Sequence, residues 1–159
     1  MNLSGLKEAL GRMVALAPGL SQVEVLAALP AGSALPLSGP AVFIGIESLE
    51  LTPGELGCFS GNRAGESAAV VVRFDFYSTG KSGFGLDELY EALCAVLLEQ
   101  GAAFGLSRVW SERTVWDDMA GSYRRSARAQ LNGRARAGAG RDEPVLIEGF
   151  ELRATTIDN

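Results

Sequence analysis

The sequence predicts an α+β fold, with one antiparallel or mixed sheet and two helices packed on one of its faces. Three observations lead there. Residues 68–101, AAVVVRFDFYSTGKSGFGLDELYEALCAVLLEQG, read as an alternating strand, a glycine-rich turn and an amphipathic helix. Residues 106–136 read as two strands joined by the short polar stretch DDMAG. Near the start, Leu3, Leu6, Leu10, Met13, Val14 and Ala17 recur at helical spacing.

The first helix begins near Asn2 or Ser4, keeps Lys7, Glu8 and Arg12 off its apolar stripe, and stops at Pro18-Gly19. Residues 22–26 form a short strand with Val23 and Val25 on one face. The three prolines of residues 30–40 make that stretch a loop. Residues 41–51 form a longer strand in which Phe43, Leu49 and Leu51 alternate with Ile44, Ile46 and Glu50, and Gly45 marks a bulge or bend. A glycine-rich loop fills residues 52–67. In the next strand Val70, Val72, Phe74 and Phe76 share one face, while Arg73, Asp75 and Tyr77 share the other, which is expected to be wet. The firmest helix runs from Leu86 to about Gln100. Its stripe is Leu86, Leu89, Tyr90, Leu93, Val96 and Leu97, with Asp87, Glu88 and Glu91 near the positive end of the helix dipole.

The second strand of the hairpin separates Tyr123, Ala127, Ala129 and Leu131 from a polar ladder of Arg124, Ser126, Arg128, Gln130 and Asn132. Residues 133–143, rich in Gly, Ala and Arg, are expected to be a flexible loop, and residues 144–154 a last strand. At 159 residues, with no internal repeat, the chain suits a single domain.

Composition narrows the chemistry. There is no histidine, which removes Ser-His and Cys-His nucleophile pairs and imidazole metal ligands together. Cys58 and Cys94 are too few and too far apart for a zinc-ribbon spacing; Cys94 is expected to be a buried apolar residue of the second helix and Cys58 a loop thiol. No apolar stretch reaches the roughly 18 residues of a membrane span, and charges at Lys7, Glu8 and Arg12 argue against a signal peptide. Gly80-Lys81-Ser82 is the tail of a phosphate-binding loop, but Asp75 stands where that pattern needs its first glycine. Asp117 and Asp118 read as turn formers at the hairpin tip. Catalytic residues, a cofactor and a metal site are not expected.

Charge is segregated along the chain. Residues 1–99 carry a net −6, residues 100–141 a net +5 and residues 142–159 a net −4. The positive block is all arginine, a residue suited to fixed bidentate pairing at protein interfaces. Trp110 and Trp116, an even number of positions apart, are expected to share one face of a single strand. The candidate subunit-interface residues are Arg108, Trp110, Arg113, Trp116, Arg124, Arg125 and Arg128.

In element order, and in the stretches VVVRFDFYSTGKSGFGLDELYEALCAVL and SRVWSERTVWDDMAGSYRRSARAQLNG, the chain resembles the tail terminator, or tail completion, proteins of long-tailed bacteriophages and phage-derived particles. The resemblance spans most of residues 1–135. It implies a structural subunit of a virion tail or neck, assembled in the host cytoplasm. Such a subunit forms a ring, expected to be a homohexamer, that caps the tail tube, ends its polymerisation and joins tail to head. The implied partners are further copies of the chain, tail tube subunits and head-tail connector proteins. No membrane and no sequence-specific nucleic acid is implied, although DNA passes through such a ring. Two other readings stand beside it: another neck or tail-connector subunit, and a phosphate- or nucleotide-binding protein using the Gly80-Lys81-Ser82 turn.

Overall fold

A computed structural model describes residues 3–27, 37, 39–52, 66–78, 85–136 and 146–148. In chain order they form α1 (Leu3–Leu16), β1 (Glu24–Leu26), β2 (Ala41–Thr52), β3 (Glu66–Ser78), α2 (Leu86–Gln100), a 3-10 turn (Gly101–Phe104), β4 (Leu106–Ser111), β5 (Val115–Asp117), β6 (Ser122–Arg136) and β7 (Leu146–Glu148). All seven strands join one mixed sheet. Its path is β1-β2-β3-β6-β4, with β5 and β7 also paired to β6. Only β1 and β2 run parallel; the other pairs are antiparallel. This is the α+β fold the sequence predicts.

The helices lie where the alternation of β3 requires. Ala68, Val70, Val72, Phe74 and Phe76 are buried, and cross-strand pairing adds Val42 and Ile44 of β2 and Ala127, Ala129 and Leu131 of β6 to the same face. Against it α1 packs Leu6, Leu10, Met13 and Val14, and α2 packs Leu86, Leu93, Val96 and Leu97. Each large aliphatic side chain buried this way contributes about 1.5–3 kcal/mol. Cys94 is half-buried rather than buried, because it sits beside the stripe and not in it.

Besides a one-residue shift at Ser107 within β4, where Leu106 pairs with Leu131 and Arg108 with Gln130, two one-residue irregularities set which side chains face the helices. In β2, Ile46 pairs with Val72 but Ser48 pairs with Val71, so Glu47 is extra. The bulge lies just past Gly45, whose lack of a side chain instead makes room for the Phe43 ring. Because the side-chain period of a strand is two, the bulge moves Leu49 and Leu51 onto the helix-side face with Ile44 and Ile46. The second irregularity separates β4 from β5. Ser111 pairs with Ala127 and Val115 with Arg124, four steps against three. The expectation that Trp110 and Trp116 share one face of a single strand is therefore corrected. Trp110 pairs with Arg128 on the face away from the helices, and Trp116 pairs with Tyr123 on the helix side.

The second hairpin strand, read from residue 122 to 136, is β6, and residues 133–136, where the flexible loop was also expected to begin, pair with β3 and β7. Of the last expected strand, Leu146–Glu148 is β7. Cys58, the Gly80-Lys81-Ser82 turn and most of the expected loops near 30–40, 52–67 and 133–143 lie outside the described residues. No helix among the described residues is long and apolar enough to cross a membrane.

Candidate interface on the open face of the sheet

The face opposite the helices is built by the odd positions of β3 and the even positions of β6, aligned as Arg73 with Arg128, Asp75 with Ser126 and Tyr77 with Arg124. The sequence predicts that this face is wet. Its centre is instead dry: Asp75 is 0% exposed, and Tyr77 and Ser126 are also buried. The Ser126 hydroxyl donates to Asp75 Oδ1 at 2.6 Å. Arg73 Nε lies 2.9 Å from Asp75 Oδ2, an ionic contact without the alignment of a hydrogen bond. A buried carboxylate needs such partners, since burying an unpaired charge is far costlier than burying a paired one.

Three of the arginines picked out in the sequence are engaged within the chain. Arg124 Nη1 lies 2.9 Å from Asp117 Oδ2. Arg128 bridges two strands, reaching Glu47 Oε2 at the β2 bulge (2.5 Å) and Glu112 Oε1 beyond β4 (2.7 Å). The Glu47 carboxylate, with Glu112 adding to it, holds the Arg128 guanidinium above its ordinary pKa. Arg125 lies on the helix side. It donates to Asp87 in the first turn of α2 and to the Ser111 hydroxyl, and its guanidinium stacks 4.8 Å over the Tyr90 ring. Three of the eight arginines in the positive block are thus paired with acidic residues of their own chain. Among the described residues, Arg108 and Arg113 make no ion pair; Arg108 stacks 4.9 Å over the ring of Trp110.

The hairpin tip is set by Asp117, whose Oδ1 accepts the backbone N–H groups of Met119 and Ala120, and by Gly121 with φ 61°. Trp116 meets the Tyr123 ring edge-on at 5.2 Å yet stays 52% exposed, and Met119 beside it is also exposed. At the opposite end of the sheet, residues 47–52 of β2 are all exposed, including Leu49 and Leu51. These two leucines escape a reading by parity, because parity counted along the strand does not register the extra residue at Glu47.

Among the described residues no group of three or more Cys, Asp or Glu side chains is placed to hold a metal ion. Burial pushes the Tyr77 hydroxyl above its usual pKa, Asp75 adds to the rise, and Arg124 opposes it. Tyr90 is raised as well, by burial and then by the neighbouring Cys94 thiol. A tyrosine with a raised folded-state pKa contributes stability that is fully present below the unfolded value, about 10, and lost as pH rises through the folded value. The melting temperature is therefore expected to fall as pH climbs above about 10. Tyr77→Phe should flatten this decline, and an unchanged alkaline slope in the variant would contradict the assignment.

Compared with known proteins, the chain matches no family model and no curated sequence.

Proposed function

We propose that this protein is a structural subunit of a phage-type tail, forming a ring that caps the tail tube, ends its polymerisation and joins tail to head. The observation that carries the reading is the exposed end of β2. Residues 47–52 project with no described strand on their outer side, and Leu49 and Leu51 are each 39% exposed. A long strand edge flanked by exposed leucines is an aggregation hazard on a free monomer and a natural joint in an assembly. The resemblance in element order to tail terminator proteins supplies the kind of assembly, and the expected ring is a hexamer in contact with tube and connector subunits. Of the interface candidates, Arg108, Arg113 and Trp116 are exposed, and Trp110 is half-buried beside Arg108.

Sedimentation of the purified chain across a wide concentration range, with negative-stain images of the same samples, tests the reading. Closed rings of uniform diameter are expected. A chain that remains monomeric at every concentration and shows no closed particles would remove the proposal.

A further inference from the structure

The sheet has a second open edge, and the two edges match. At one side β2 pairs with β1 only through Ala41, Val42 and Phe43, leaving residues 44–52 without a strand on their outer side among the described residues. At the other side β4 pairs, among the described residues, only with β6. The exposed part of β2, residues 47–52, equals in length the six residues of β4.

Strand directions also agree. Along the path β2-β3-β6-β4 every step is antiparallel, so β2 and β4 of one copy run in opposite senses. A rotation that carries one copy to the next keeps these senses and keeps the helices on the same side. The β4 edge of one copy would then meet the β2 edge of its neighbour antiparallel, in a heterologous contact that closes into a ring.

Side chains match face by face. On the helix side β2 presents Leu49 and Leu51, and β4 presents Val109, which packs at the margin of the core. On the opposite side β2 presents Ser48 and Glu50, paired in register with Val71 and Ala69, and β4 presents Arg108 and Trp110. Glu50 and Arg108 carry opposite charges, and neither has an ion-pair partner among the described residues.

We infer that residues 47–52 of β2 pair antiparallel with β4 of a second copy, in the register that sets Glu50 opposite Arg108, Leu49 opposite Val109 and Ser48 opposite Trp110. The inference rests on the ring reading above and adds its joint: one sheet continuous from copy to copy. Main-chain hydrogen bonds supply the adhesion, and the Glu50–Arg108 pair and the apolar pair fix the register.

A charge swap and a disulfide test it, with the wild-type ring as reference. Glu50→Arg and Arg108→Glu should each raise the concentration of half-assembly about tenfold or more, an effect of the size expected for like charges set against each other. The double variant should return it to within about threefold of wild type, restoring the pair. Separately, Glu50→Cys with Arg108→Cys, in a chain carrying Cys58→Ser and Cys94→Ser, should oxidise to a covalent ladder ending in closed rings. Rings that form in the wild type while the swap fails to restore assembly and no ladder appears would overturn the edge joint and leave the ring intact. A wild-type chain that forms no ring at all overturns both.

Discussion

Asp75→Ala is expected to lower folding stability by about 3 kcal/mol, the scale for removing one partner of a buried ion pair. The carboxylate is fully buried, accepts the Ser126 hydroxyl and neutralises Arg73. Its loss leaves a buried hydroxyl without its acceptor and a guanidinium, 29% exposed, without its counter-charge. That residual exposure lets water take over part of the Arg73 charge, which keeps the cost at the lower end of the range. Urea unfolding gives the number directly, and the denaturant slope should stay constant. Adding Ser126→Ala should cost little more, because the two groups act as one pair. A single-variant loss under about 1 kcal/mol, the scale of an ordinary hydrogen bond, would mean that Asp75 is not the keystone of the open face.

Gly105→Ala is expected to cost about 3 kcal/mol, at the upper end of single-substitution effects. Gly105 ends the 3-10 turn at φ 65°, and a Cβ there would sit 1.9 Å from the carbonyl oxygen of Asn132. The approach is fixed by the Asn132 N–H, which donates to the Gly105 carbonyl at 2.8 Å. Neither backbone can give way without separating the turn from β6. Gly85 provides the control. Its φ is 89°, but a Cβ added there would meet nothing within 4 Å among the described residues, so Gly85→Ala should show only the backbone preference of roughly 1 kcal/mol. Equal losses at the two sites would show that the contact with Asn132 contributes nothing.

What could be read in the sequence was local. The α2 stripe from Leu86 to Leu97 and the alternation of Val70, Val72, Phe74 and Phe76 are periodic within one element, and the structure buries both sets as the periods require, with Leu89 and Tyr90 partly covered. Features that depend on a partner strand were not legible. Asp75 reads as a wet residue because its acceptor role is fulfilled by Ser126, 51 residues later. Trp110 and Trp116 read as neighbours on one face because parity is counted along a strand, and the extra residue between Ser111 and Val115 breaks the count. The arginine block reads as unpaired charge because Asp87 and Glu47, which meet Arg125 and Arg128, come from distant segments. Of the candidate interface, composition could point to residue types; the matching edges of β2 and β4 required the strand order.

The central pairing of β3 with β6 has a consequence for the protein during its synthesis. Phe74 pairs with Ala127, and the whole of α2, β4 and β5 lies between those two strands in the chain. A ribosome adding about 5–20 residues per second needs several seconds to cross that interval. Throughout it the nascent β2–β3 ladder shows two raw edges, with Val70, Val72, Phe74 and Phe76 covered only by whatever helix has already formed. The amphipathic α2 emerges first after β3 and needs only short-range contacts, so it can shelter the nascent sheet until β6 arrives. The chain order thus places a chaperoning element next to the strand most exposed to mispairing.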